Sequence, residues 1–401
     1  MPLVRRWLYT VTALSISIVG CGASEESPSA PSFADSATSA DAATSADTDD
    51  NISRDDDATV DPPLDAAIVD EDATTEAGLP KVESPVERTF ADPFVLHAGS
   101  AFHLYSTKSR GKHVPHVVST KLSSWKLADE NDAMPKLPSW AAADETVWAP
   151  SVLEVSKSRY VLFFASKRAG SAPLGEKGQM CVGSAVANDP AGPFVDTSSA
   201  PLYCEPTRWS LDPSAFAAAD GSMHLVWRQD VDDPTRTSTQ NAVYSRRLSA
   251  LGDSFAAGST NAELMRRTNG SWEDPIIENP AMALIGGKYY LFYSGNLWRT
   301  ASYAIGYAEC AGPRGPCTKQ STKSPWLGSV TKIGMKGPGG EELIRTSGGA
   351  VDLTAAGGMV MTMHGWLGKT IEEAGSGTPG IRALWLAHFT IEGGTPAVRW
   401  P

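Results

Sequence analysis

The feature that most limits what this chain can fold into is a repeat. Four times, a proline follows a small, polar or acidic residue, and an aromatic-rich apolar run begins about ten to twelve residues later. The copies run from Ala91-Asp92-Pro93 to His103-Leu104-Tyr105, from Trp148-Ala149-Pro150 to Tyr160-Val161-Leu162-Phe163-Phe164, from Leu211-Asp212-Pro213 to His224-Leu225-Val226-Trp227, and from Glu278-Asn279-Pro280 to Tyr289-Tyr290-Leu291-Phe292-Tyr293. Their prolines lie 57, 63 and 67 residues apart. Alternating apolar positions, β-branched and aromatic side chains, and Gly or Asn at the turns make each copy a strand hairpin rather than a helix. A fifth, degenerate copy fits Gly348-Gly349-Ala350-Val351, a turn at Gly357-Gly358, and Met361-Thr362-Met363-His364. Units of roughly sixty residues are too long for solenoid turns and match four-stranded blades with long loops. The expectation is an all-β fold, a five-bladed β-propeller over residues 85–401. A pair of β-sandwiches is the alternative, since short strands alone do not separate the two.

What precedes the repeat is of another kind. Arg5 and Arg6 lead a short apolar run from Trp7 to Gly20 that ends in Ile18-Val19-Gly20-Cys21, the layout of an export signal. This run resembles the lipobox of bacterial lipoproteins, which implies lipidation at Cys21 and a mature chain beginning there; an ordinary signal peptide is the alternative. Residues 22–84 are rich in Ala, Ser, Thr and Asp, with sixteen acidic residues against one base, Arg54, between Gly22 and Pro80. Such a tract cannot bury enough apolar area to offset its ordering entropy, so it reads as a disordered acidic linker. The whole chain carries a net charge of −12, the tract alone carries −15, and the remainder is close to neutral. A near-neutral domain argues against nucleic acid as a partner. No apolar run is long enough to span a bilayer, so the expected membrane contact is through the lipid alone. The organisation is therefore 1–21 signal, 22–84 linker and 85–401 propeller, on a monomer held at the bacterial cell envelope, at the outer membrane or cell surface.

Setting Cys21 aside leaves Cys181, Cys204, Cys310 and Cys317. An even number in an exported domain suggests two disulfides, and proximity favours Cys181 with Cys204 and Cys310 with Cys317. No CxxC pattern or histidine cluster supports a metal site at these cysteines.

The copies differ where chemistry is possible. At or beside the proline the first has Asp92, the second Ala149, the third Asp212 and the fourth Glu278. In a propeller these positions start the innermost strands, so three carboxylates would converge at one end of the channel. There, repulsion and burial can keep one carboxyl protonated beside another that is ionised. Glu273-Asp274-Pro275 competes with the fourth copy, but the interval from Pro280 to Leu291 matches the other copies and selects Glu278.

The stretches Phe90-Ala91-Asp92-Pro93-Phe94, Trp148-Ala149-Pro150-Ser151-Val152, Leu211-Asp212-Pro213-Ser214 with Asp220-Gly221, and Glu278-Asn279-Pro280 before Tyr289-Tyr290-Leu291 resemble glycoside hydrolase family 43. These are five-bladed enzymes acting on arabinan and xylan chains. The resemblance implies an inverting glycosidase with Asp92 as general base, Glu278 as general acid and Asp212 as the residue that orients the acid and tunes its pKa. It matches His364 to a central histidine near which the family often holds a calcium or other ion; a packed channel histidine without metal is the alternative. The sequence departs from the pattern at Asn279, and at Ser347-Gly348, where a Gly-His pair is common. Trp148 is the best candidate to stack on substrate, and Arg382 is a candidate to reach a sugar hydroxyl or the acid, with a plain surface arginine as the alternative reading. The alternative from another class is a catalytically altered propeller that only binds carbohydrate at the surface.

Overall fold

The computed structural model describes residues 79–143, 147–170, 179–232 and 239–401. The signal, Cys21 and nearly all of the acidic linker lie outside the described residues. Five antiparallel sheets follow one another along the described chain, and their first strands are Phe94–Ala98, Val147–Ser156, Ser210–Ala217, Ile277–Ile285 and Met335–Leu343. These first strands touch each other in ring order, the fifth returning to the first, so they line a central channel as the inner strands of five blades. The ring is closed by the start of the fold, where Val86–Thr89 pairs with Ile381–Glu392 of the fifth blade.

Strand periodicity explains the aromatic-rich runs. Successive side chains point to opposite faces of a sheet, and both faces of each blade are covered by neighbours. In the second blade Leu162 and Phe164 pack into the core shared with the first blade, while Val161 and Phe163 pack into the core shared with the third. In the fourth blade Tyr290 and Phe292 face the fifth, while Tyr289, Leu291 and Tyr293 face the third. A fifth cluster, with Val95 and Leu104 against Val360, Leu384 and Leu386, joins the last blade to the first. Burial on both faces turns what would be alternation into an unbroken apolar run. Truncating one such ring, Phe163→Ala, removes about 3–5 kcal/mol of packing.

Two expectations are adjusted. The packed chain begins ahead of residue 85, because Val82 is buried in the closing core and the Pro80 carbonyl meets His388 Nε2 at 3.1 Å. The fifth copy is also misplaced in the sequence reading. Its inner strand is Met335–Leu343, and Ser347–Gly349 forms a short 3₁₀ turn after it. The hairpin partner Met359–Leu367 lies where expected, but the lead strand was hidden because Lys336-Gly337-Pro338-Gly339-Gly340 has little apolar character and its proline precedes the channel position.

The structure joins Cys181 to Cys204 and Cys310 to Cys317. The first crosslink ties the third strand of blade two to the segment entering blade three. The second spans the outer hairpin of blade four, where Cys310 and Cys317 are register partners.

Candidate active site

The repeat has a backbone signature. Among the described residues only six non-glycine residues have positive φ, and four of them stand directly before the repeat prolines: Asp92 (49°), Ala149 (44°), Asp212 (56°) and Asn279 (50°). Gly340, at 59°, is their counterpart in the fifth blade. The pairing register of the inner strand slips at this point in blades two to five, the mark of a bulge. A left-handed residue in a bulge bends the strand and re-aims its side chain, and all five line one cavity in the channel. A left-handed conformation is costly for a residue with a Cβ and clusters at functional sites. The residue in phase in the fourth blade is thus Asn279, with Glu278 one position ahead of it.

The three predicted carboxylates are brought together, and Asn279 is the hub between them. Its Nδ2 donates to Asp92 Oδ1 at 3.2 Å and to the Tyr303 hydroxyl at 3.2 Å, while its backbone N–H donates to Asp212 Oδ2 at 3.1 Å. Tyr303 in turn donates to Glu278 Oε1 at 2.8 Å. Thr107 Oγ1 donates to Asp92 Oδ2 at 2.6 Å and itself accepts the Ala149 N–H at 2.8 Å, so the carboxylate is fixed from both sides. Arg228, buried, has one guanidinium nitrogen 2.6 Å from Asp230 and another 3.8 Å from Glu278 Oε2.

Burial sets the proton affinities. Asp212 is held well above the usual carboxylate range, first by burial and then by the charge of Glu278. Glu278 is raised as well, again mainly by burial, with Arg228 and the Tyr303 hydrogen bond pulling the other way. The pair is therefore a store for a proton at pH values where a solvated carboxyl has lost it.

Arg382 lies inside this cluster rather than on the open surface. Its guanidinium lies 3.4 Å from Asp92 Oδ1 and 2.8 Å from His364 Nε2. His364 is fully buried, its Nδ1 accepts the Asp92 N–H at 3.2 Å, and burial and then Arg382 drive its pKa well below the ordinary value. These residues do not fit a calcium ion. A guanidinium already sits against the imidazole edge that an ion would need, and two cations so close repel. Among the described residues no group of three or more His, Cys, Asp or Glu side chains is arranged to hold a metal.

Trp148 is half-buried and meets Trp209 edge-on at 6.4 Å, above a small core of Ala165, Met180 and Leu211, so packing accounts for much of its surface. Glu273, the competing motif residue, is buried elsewhere and held by Lys319 Nζ at 2.6 Å and the Tyr293 hydroxyl at 2.8 Å. Thr107, Arg228 and Tyr303 were not singled out from the sequence. Thr107 stands just after the second strand of blade one, Arg228 on the second strand of blade three and Tyr303 just before the third strand of blade four, where no repeated motif marks them.

Comparison with known proteins agrees with this fold. The description of glycosyl hydrolases family 43 matches residues 82–359. The chain is 25% identical over 282 residues to an extracellular endo-alpha-(1->5)-L-arabinanase of Thermotoga petrophila, a match that takes in 61% of this chain and 54% of that protein. It therefore spans about half the length of that relative. In fold it is similar to a thermostable family-43 glycoside hydrolase (TM-score 0.64, 21% identity, 80% of this chain and 96% of that one). It is likewise similar to an alpha-L-arabinofuranosidase from Lactobacillus brevis (TM-score 0.61, 17% identity, 80% and 97%). With the family match running from the ring-closing strand into the fifth blade, the chain belongs to glycosyl hydrolase family 43.

Proposed function

We propose that this protein is an exported glycoside hydrolase that cleaves arabinose- or xylose-containing polysaccharides or oligosaccharides with inversion at the anomeric carbon. The observation that carries this reading is the meeting of Asp92, Asp212 and Glu278 at one end of the channel, with burial holding a proton on the Asp212–Glu278 pair. Glu278 gives that proton to the glycosidic oxygen as its bond to the anomeric carbon breaks through an oxocarbenium-like transition state. Water attacks the opposite face, and its proton passes to Asp92. Three contacts of 3.2, 3.2 and 2.8 Å, through Asn279 Nδ2 and the Tyr303 hydroxyl, link Asp92 Oδ1 to Glu278 Oε1. That path keeps the two carboxylates under the upper limit of the window, about 6.5–9.5 Å, in which a water fits between acid and base. Burial and the charge of Asp92 raise the proton affinity of Glu278 and Arg228 limits that rise, while Asp212, itself raised by Glu278, is the residue assigned to orient and tune the acid.

The export signal, the paired cysteines and the extracellular relative support action outside the cytoplasm, with a lipid at Cys21 and the acidic linker tethering a monomeric enzyme to the envelope. The sugar class follows the family and the named relatives. The test is hydrolysis of linear arabinan, aryl α-arabinofuranoside and aryl β-xyloside beside Glu278→Gln and Asp92→Asn. Turnover of at least one substrate that collapses in both variants is the expected result. Wild-type protein that binds sugar with no turnover, equally in both variants, overturns the catalytic reading. A Cys21→Ala chain that stays in the membrane fraction overturns the anchor.

A further inference from the structure

Trp298 is unusual in this molecule. It leaves 38% of its surface exposed, the highest of any tryptophan among the described residues, whereas most of the aromatic surface of the fold is spent between blades. It stands in the turn that follows the second strand of blade four, and it is built into place. The ring of Trp366 stacks beside it, with centroids 6.3 Å apart and planes within 15°. The Arg382 guanidinium carbon lies 4.8 Å from the centre of the Trp298 ring. Trp366 and Arg382 are direct register partners on adjacent strands of blade five, so both project from the same face of that sheet.

The backbone of the turn is pinned as well. Asn296, at φ 75°, accepts the Leu297 N–H on its side-chain oxygen at 2.8 Å, and the Leu297 carbonyl accepts both the N–H and the hydroxyl of Thr300, at 3.0 and 2.9 Å. Trp366 Nε1 donates to the Trp298 carbonyl at 2.9 Å. An exposed indole on a pinned turn carries little rotamer entropy to lose when a ligand covers it. Its position gives it a purpose, because the guanidinium it stacks on is the one 3.4 Å from Asp92 Oδ1.

We propose that Trp298, backed by Trp366 and Arg382, is a sugar-stacking subsite that receives the ring adjoining the reacting sugar, away from the leaving group and on the Asp92 side of the channel. The ligand class is a pentose unit of a longer chain, which offers an apolar C–H face to the indole and hydroxyls to the free edge of the guanidinium. This deepens the glycosidase reading and rests on it. A platform beside the reacting ring binds extended substrates and adds little for a single sugar on an aryl leaving group.

The test compares Trp298→Ala and Trp298→Phe in the full chain, using linear arabino-oligosaccharides and xylo-oligosaccharides on one side and the aryl glycosides on the other. The expected result is a KM about five- to tenfold higher for the oligosaccharide in Trp298→Ala, with kcat nearly unchanged. The aryl substrate should shift by less than about twofold, and Trp298→Phe should recover part of the loss. Oligosaccharide titration followed by tryptophan fluorescence, in the Glu278→Gln background, should show a change that disappears when Trp298 is also replaced. That readout does not require turnover, so it separates the two readings. A protein that hydrolyses glycosides but whose oligosaccharide KM and fluorescence response ignore Trp298 overturns the subsite alone. A protein that turns over no glycoside yet loses sugar binding with Trp298 keeps the subsite and overturns the catalytic reading.

Discussion

The first and fifth blades carry the same backbone device side by side and fill it differently. Asp92 and Gly340 both hold positive φ on the channel side of their inner strands. Blade one puts a carboxylate there. Blade five puts nothing there, and the vacated volume is taken by His364 from the next strand: a Cβ on Gly340 would lie 2.6 Å from His364 Nδ1 and 3.0 Å from Asp92 Cα. In the proposed mechanism the first blade therefore supplies a reacting group directly. The fifth supplies its support, with His364 receiving the Asp92 N–H and Arg382, one strand further out, reaching the Asp92 carboxylate. The fold decides where a side chain enters the channel, and the volume of that side chain decides whether the blade reacts or braces.

Substitutions on the two blades should differ in kind. On the reacting side Asp92→Asn keeps volume and most hydrogen bonds but removes the base. Steady-state kinetics on the best substrate should show kcat lower by about 10²- to 10⁴-fold with an unchanged melting curve. On the bracing side Gly340→Ala adds only a methyl group, yet that methyl meets a fully buried imidazole and the Asp92 backbone in a left-handed conformation. Thermal unfolding should report a loss of about 1–3 kcal/mol, together with a kcat lower by up to roughly 10²-fold as Asp92 moves. An Ala at residue 340 that left both stability and kcat intact would erase the contrast.

Asp212→Asn probes the proton store. The folded-state pKa of Asp212 is raised, so the folded chain binds more protons than the unfolded chain, and the stability tied to this group is lost as pH rises from the unfolded value toward the folded one. Asparagine removes that loss. The variant should melt a few degrees higher than wild type at pH 8, with the difference shrinking toward pH 4, while activity falls. A gain largest at low pH would reverse the assigned direction.

The smallest expected effect concerns calcium. With Arg382 against His364, dialysis against a chelator should leave rate and melting temperature unchanged, and elemental analysis should find no stoichiometric calcium. A melting temperature that drops on chelation and recovers with calcium would contradict the fit described for these residues.

Much of this architecture was legible in the sequence, for a physical reason. An X-Pro step at a bulge, followed by a strand buried on both faces, leaves a pattern that neither solvent nor loop length blurs, and it marked Asp92, Ala149 and Asp212 in register. The fourth blade was read one residue out of phase, because Glu278 carries the chemically conspicuous group while Asn279 holds the strained backbone. The fifth blade escaped because a glycine-rich inner strand gives no apolar signal, although Pro338-Gly339-Gly340 is what a crowded channel position needs. Tyr303, Arg228 and Thr107 were not legible, since they reach the carboxylates from neighbouring segments through tertiary geometry alone. Trp298 and Trp148 show the same limit, for only burial separates an open indole from a packed one.

The central claim is that Glu278 and Asp92 act on opposite faces of the sugar with water between them. The most direct test is the anomeric configuration of the first-formed product, followed by proton NMR before mutarotation, with an α-linked arabino-oligosaccharide as substrate. Appearance of the β-anomer first is the predicted result. Appearance of the α-anomer first would contradict the account and make one of these carboxylates a nucleophile.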